Sequence, residues 1–173
     1  MLLKLQKMAK SEAMMLAEMY EKTRLLTRYY LSKLKEVDPF VAQGSGDVQF
    51  NSIYWLMAHL AWAENYLVVE MTGGKSVAPH WMNHYSLGAD GSVHEGHGSF
   101  KELLDEVKVV HEKSMQYLAA LSDEDLAKEN AGKFQFGDGD ATCRFSVQHA
   151  IRHEALHTGH LSLIAKLNKQ KTV

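Results

Sequence analysis

Four long stretches of this chain repeat their apolar residues at steps of three, four or seven, the spacing of an amphipathic α-helix. The first runs from about Leu3 to Glu36 on Leu5, Met8, Met15, Met19, Leu26, Tyr30 and Leu34, and is ended by Pro39 and the Gly44-Ser45-Gly46 turn. The second starts at the N-cap candidates Asn51 and Ser52 and runs to Met71 on Ile53, Leu56, Leu60, Leu67 and Met71. The third opens on Ser99-Phe100-Lys101-Glu102, a capping box, and carries Leu103, Leu104, Val107, Val110, Ser114, Leu118 and Leu121. Ser122-Asp123-Glu124-Asp125 reads as the cap of a short extra turn, and the last stretch spans about Arg144 to Asn168. Two long irregular segments interrupt the pattern, Gly73–Gly98 and Lys128–Ala141, and segments of this length in a compact domain are usually functional or disordered. The expected product is an all-α four-helix bundle with long crossover connections, one domain over residues 1–173.

Composition narrows the class of function. With 46% hydrophobic residues, 23% charged residues and a net charge of −2, the 173-residue chain has neither a disordered nor a nucleic-acid-binding signature. Lysines break the first ten residues too often for a signal peptide, and the apolar run Ile53–Ala58 stops at His59, far short of a membrane span. A cytoplasmic protein without membrane or nucleic-acid partners is expected. Cys143 is the single cysteine, so no internal disulfide and no Cys-based zinc site can form.

Histidine is the unusual residue, with ten copies. His149, His153, His157 and His160 share a stripe about 80° wide on the last helix, and the same stripe continues as Ile164 and Leu167. A face that becomes apolar points inward, and imidazoles one turn apart can share a metal ion. His59, on the second helix among Trp55, Leu56 and Trp62, is either a satisfied core histidine or a further ligand; the ladder on the last helix favours the ligand. Three neutral imidazoles leave coordination positions open, as catalytic metals require, and with an unperturbed pKa near ~6.5 they lose their metal between about pH 7 and 5.

His153-Glu154-Ala155-Leu156-His157 also satisfies H-E-x-x-H, with Glu154 in the place of a peptidase general base. Its context is wrong. No acidic residue follows Glu154 through Val173, and the longer metzincin pattern needs glycine at 160 and histidine at 163, where His160 and Leu163 stand. A Glu-x-x-His pair of the di-iron type lacks a counterpart on a second helix.

The string Trp55-Leu56-Met57-Ala58-His59-Leu60-Ala61-Trp62-Ala63-Glu64, followed far downstream by His149-Ala150-Ile151-Arg152-His153 and by His157-Thr158-Gly159, resembles the DinB/YfiT-like superfamily. The resemblance covers the whole chain in order of elements. It implies a four-helix bundle, often a homodimer, binding nickel or zinc through one histidine of the second helix and two of the fourth, here His59, His153 and His157. Where relatives often read His-Arg-Gly-Gln, this chain has His157-Thr158-Gly159-His160, which removes two polar groups and leaves His160 to stand in for one. Relatives include transferases and isomerases that use a low-molecular-weight thiol (bacillithiol, mycothiol or glutathione), and others labelled metal-dependent hydrolases. Two classes of function follow: a metal-dependent enzyme, either a thiol S-transferase or a hydrolase acting on a small-molecule substrate, and a non-catalytic metal-binding or metal-sensing bundle.

The remaining residues have ordinary readings. The loop histidines His80, His84, His94 and His97 are expected at the surface, and Met14, Met15, Met19 and Met57 in the core. Trp81 and Tyr85 either cover the site or pack. Glu64, about 140° round its helix from His59, is expected exposed or paired. Gly159 is expected to let a neighbouring helix approach, and Cys143 is an ordinary thiol.

Overall fold

A computed structural model describes residues 10–94 and 98–172. The chain is mostly helical. Helix α1 spans Glu12–Ser32, α2 Ile53–Glu64, α3 Phe100–Ala119, the short α4 Asp123–Ala127, and α5 Cys143–Leu167. Capping is as the sequence predicts: Ser52 caps α2, and both Ser99/Glu102 and Ser122/Asp125 form reciprocal boxes. Nearly every residue of α2 is buried, which is why its sequence is apolar all round; it is the central helix of the bundle.

Cross-helix contacts give the directions. Glu12 pairs with Arg144, and Thr27 meets Thr158, so α1 and α5 run parallel. Tyr54 lies near Phe100 and Thr72 near Tyr117, so α2 and α3 run parallel as well. Ser146 donates to the Leu67 carbonyl while His59 meets His153, so α5 opposes α2. The four main helices, expected to pack roughly antiparallel, instead form two parallel pairs set against each other. This geometry explains the long crossover: α3 restarts at the end where α2 began, so the chain must return the length of a ~30 Å helix.

Three local features depart from the helical periodicity. Beyond Glu64, the second helix widens into a π-helical turn over Asn65–Glu70. It carries the buried Asn65 side chain, whose oxygen accepts from the Val77 and Ala78 amides (2.7 and 3.2 Å) and ties down the start of the crossover. Within the crossover, His80–Tyr85 forms a 3-10 helix. Between α1 and α2 stands a hairpin that periodicity missed, β1 (Gln43–Ser45) paired antiparallel with β2 (Val48–Phe50), with Gly46 at φ 58° in its turn. Asn168 at the end of α5 bonds to Gln43, fixing the hairpin beside the last helix.

The first helix corrects the expected stripe. Leu3, Leu5 and Met8 lie outside the described residues, and the helix ends at Ser32 rather than Glu36. Met14, Met15, Met19 and Leu26 are exposed, and the buried face is Ala13, Leu16, Ala17, Tyr20, Arg24, Thr27 and Tyr30. Polar partners inside the bundle, described below, decide this rotation; apolarity alone points to the wrong face. Met57 is buried, as expected. Leu167, taken as core, is exposed, while Ile164 is buried. Gly159 faces open space, so it makes no room for a helix.

Candidate metal centre

His59 projects from the middle of α2 and is 4% exposed. Its Nδ1 lies 2.6 Å from the Tyr85 carbonyl oxygen. A carbonyl can only accept, so Nδ1 carries the proton and Nε2 keeps its lone pair. The 3-10 helix of the crossover thus sets the tautomer of a histidine 26 residues earlier. Trp55 stacks on the same ring at 4.6 Å. Tyr85 is fully buried, so its role is support beneath the ring and not a cover over it.

On α5, His153 and His157 are half-buried one turn apart. His153 Nε2 is 3.2 Å from His59 Nε2 and 3.2 Å from His157 Nε2. One ligand atom from each of the three lies within 4.8 Å of the others, a set able to hold a metal ion. A tetrahedral ion with nitrogen ligands at ~2.0–2.1 Å needs its nitrogens about 3.3 Å apart, so the observed spacing fits. The donor chemistry fits too. A proton on one Nε2 satisfies one neighbouring lone pair and leaves the third nitrogen unmet, whereas a cation satisfies all three.

Burial and neighbouring imidazoles keep these rings neutral. Burial first, and then His59, His149 and His160, push His153 down to about 4. Burial and then His153, His59 and His160 push His157 down to about 3. His59 is lowered by burial against a smaller opposing pull from the Tyr85 carbonyl. Neutral imidazole is the form that binds metal.

The two other members of the ladder flank this triad. His160 Nδ1 is 3.2 Å from His157 Nδ1, so it holds the far side of that ring. His149 packs between Phe134 and Phe136 with its ring 5.8 Å from that of His153. The loop histidines His80, His84 and His94 are exposed as expected, and His97 lies outside the described residues.

Glu154 takes no part in the cluster. Its carboxylate lies on the adjacent buried face of α5, 2.8 Å from Arg24 Nε and accepting from the Thr27 hydroxyl at 2.8 Å. Arg24 also donates to Glu64 at 2.6 Å, and His111 bridges Glu64 (2.8 Å) and Glu21 (3.0 Å). Glu64 is therefore paired, as expected, and H-E-x-x-H here is one metal-site face and one salt-bridge face. Sequence reasoning missed Arg24 and His111. The available signal was a charged residue at helical spacing between Tyr20 and Thr27, and a histidine between Val110 and Ser114.

A family model described as the DinB superfamily matches residues 19–161. The chain belongs to the DinB superfamily. A search of curated proteins finds no match. For a DinB-superfamily chain, the three histidines that meet here come from the expected elements, one from the second long helix and two from the last. Among the described residues no helix is long and apolar enough to cross a membrane.

Proposed function

We propose that this protein is a metal-dependent enzyme acting on a small-molecule substrate, with a divalent ion, nickel or zinc, held by His59, His153 and His157. The observation that carries the reading is the convergence of three imidazoles, with His153 Nε2 3.2 Å from the Nε2 atoms of both His59 and His157, and no fourth ligand in the cluster among the described residues. Bound there, a divalent cation supplies Lewis acidity and lowers the pKa of a coordinated thiol or water. The chain's own residues supply the rest. The Tyr85 carbonyl and the His160 ring orient two of the ligand imidazoles, and Trp55 excludes water beneath His59.

Between the two chemistries, thiol transfer is favoured over hydrolysis. Glu154, the one carboxylate next to a ligand in sequence, is committed to Arg24 and Thr27. A thiol acidified by the metal needs no protein base, whereas water attack gains from one. The family resemblance adds a low-molecular-weight thiol as cosubstrate and a second copy as partner. The exposed Met15, Met19 and Leu26 on α1 supply apolar surface for such a dimer. The test is elemental analysis of the purified protein followed by a screen of thiols against electrophiles. One ion per chain with metal-dependent thiol consumption is the expected result. A full complement of metal with no turnover of any thiol–electrophile pair or ester would favour the non-catalytic, metal-sensing reading.

A further inference from the structure

Each of the three converging imidazoles has a second ring beside it. His59 is stacked against Trp62 (5.8 Å, 24°), which is stacked in turn on Tyr66 (5.1 Å, 10°). His153 has His149 beside it, and His149 lies edge-on to Phe136 at 4.9 Å. His157 has His160, and His160 packs against Phe50 at 5.7 Å. These outer rings come from α2 and its π-turn, from the irregular segment before α5, and from β2. Three separate departures from simple helical structure thus bring aromatic groups to the same cluster.

Phe136 is the informative member. It is 58% exposed and sits in a loop, so core packing does not account for it. Phe134 and Phe145 hold it edge-on at 5.2 and 6.2 Å, so the exposed ring is supported on its inner side. Phe136 is linked to the cluster through His149, and a supported aromatic ring left in water is a contact surface for a ligand. Arg152 lies over the Phe145 ring at 5.5 Å.

We infer that the aromatic border selects aryl-bearing ligands at the three-histidine site, with Phe136 as the residue that sets the preference. The inference rests on the metal reading above and names its substrate class: an electrophile or thiol carrying a flat apolar ring.

The test uses the full chain loaded with Co(II), whose visible absorption reports ligands entering the metal's coordination sphere. Benzohydroxamate and acetohydroxamate share a metal-binding head and differ in the ring; azide probes the metal alone. Benzohydroxamate is expected to bind about tenfold tighter than acetohydroxamate. Phe136→Ala is expected to cut that ratio at least threefold and Phe136→Tyr to keep it, with azide affinity and metal stoichiometry unchanged. Equal affinity for the two hydroxamates, or a ratio untouched by Phe136→Ala, overturns the inference and leaves the metal reading standing. Failure to bind one Co(II) per chain overturns both.

Discussion

His59, His153 and His157 differ from the other histidines by where their Nε2 atoms point, so substitutions should separate them cleanly. Alanine at any of the three is expected to abolish stoichiometric metal binding, whereas His149→Ala and His160→Ala should weaken it about 10–100-fold at most, because they act through a ligand's far side or flank. Metal titration with a competing chelator dye checks this. Retention of the metal in His153→Ala with loss in His160→Ala would overturn the ligand set. Glu154 makes the opposite case. If its carboxylate served a peptidase, Glu154→Gln would spare the fold and abolish hydrolysis. Its pairing with buried Arg24 instead sets the expected effect as a loss of about 3 kcal/mol in stability, with metal affinity within a few-fold of wild type. Urea unfolding and metal titration on the same sample read both.

Among the elements, α5 carries most of the chemistry and also the cheapest improvement. It presents two functional faces: ligands at 153 and 157, and a buried face on which Glu154 and Thr158 sit among Val147, Ala150, Leu161 and Ala165. Gly159 belongs to neither of them. A Cβ built there meets nothing within 4 Å, and the residue is exposed in mid-helix. Gly159→Ala is therefore expected to stabilise the protein by about 1 kcal/mol, seen as a rise of roughly 2–4 °C in Tm. A fall in Tm would show that the backbone there is held in a conformation alanine cannot adopt. Helix α1 shows how polar groups set a helix's rotation. Tyr20, Arg24 and Thr27 face inward because Glu64 and Glu154 wait there, and the methionines are turned to the surface in consequence.

At the scale of the molecule, the three inward imidazoles make stability depend on pH. In the unfolded chain they take up protons near pH ~6.5. In the folded protein, burial and mutual repulsion delay this, to about 4 for His153 and about 3 for His157. Between these limits the unfolded state holds more protons, so this contribution to the stability of the metal-free protein is full above pH ~7 and is lost as pH falls from about 6.5 towards about 3. The expected slope is up to about 1.4 kcal/mol per pH unit for each imidazole, measured by denaturant melts of the chelator-stripped protein. A flat profile between pH 7 and 5 would mean the imidazoles protonate as readily folded as unfolded. The same depression moves metal release below the pH 7-to-5 window that unperturbed histidines would give. Release then overlaps the range of carboxylate sites, so proton uptake of more than one per ion, and not the midpoint, is what identifies histidine ligands.

Much of this was legible along the chain, because helical periodicity, capping boxes and i, i+4 ligand spacing are local. The helices, their caps and the inward stripe of histidines on α5 follow from residues within a few turns of one another, and the partnership with His59 follows from the family resemblance. The sequence could not supply the rotation of α1, since burying Arg24 is favourable only when carboxylates 40 and 130 residues away converge on it. Nor could it show that Glu154 turns from the ligands beside it, that a carbonyl in the crossover sets the proton on His59, or that Phe136 stands against His149. Each of these depends on a contact between segments far apart in sequence, and only packing the helices in two parallel pairs brings those segments together.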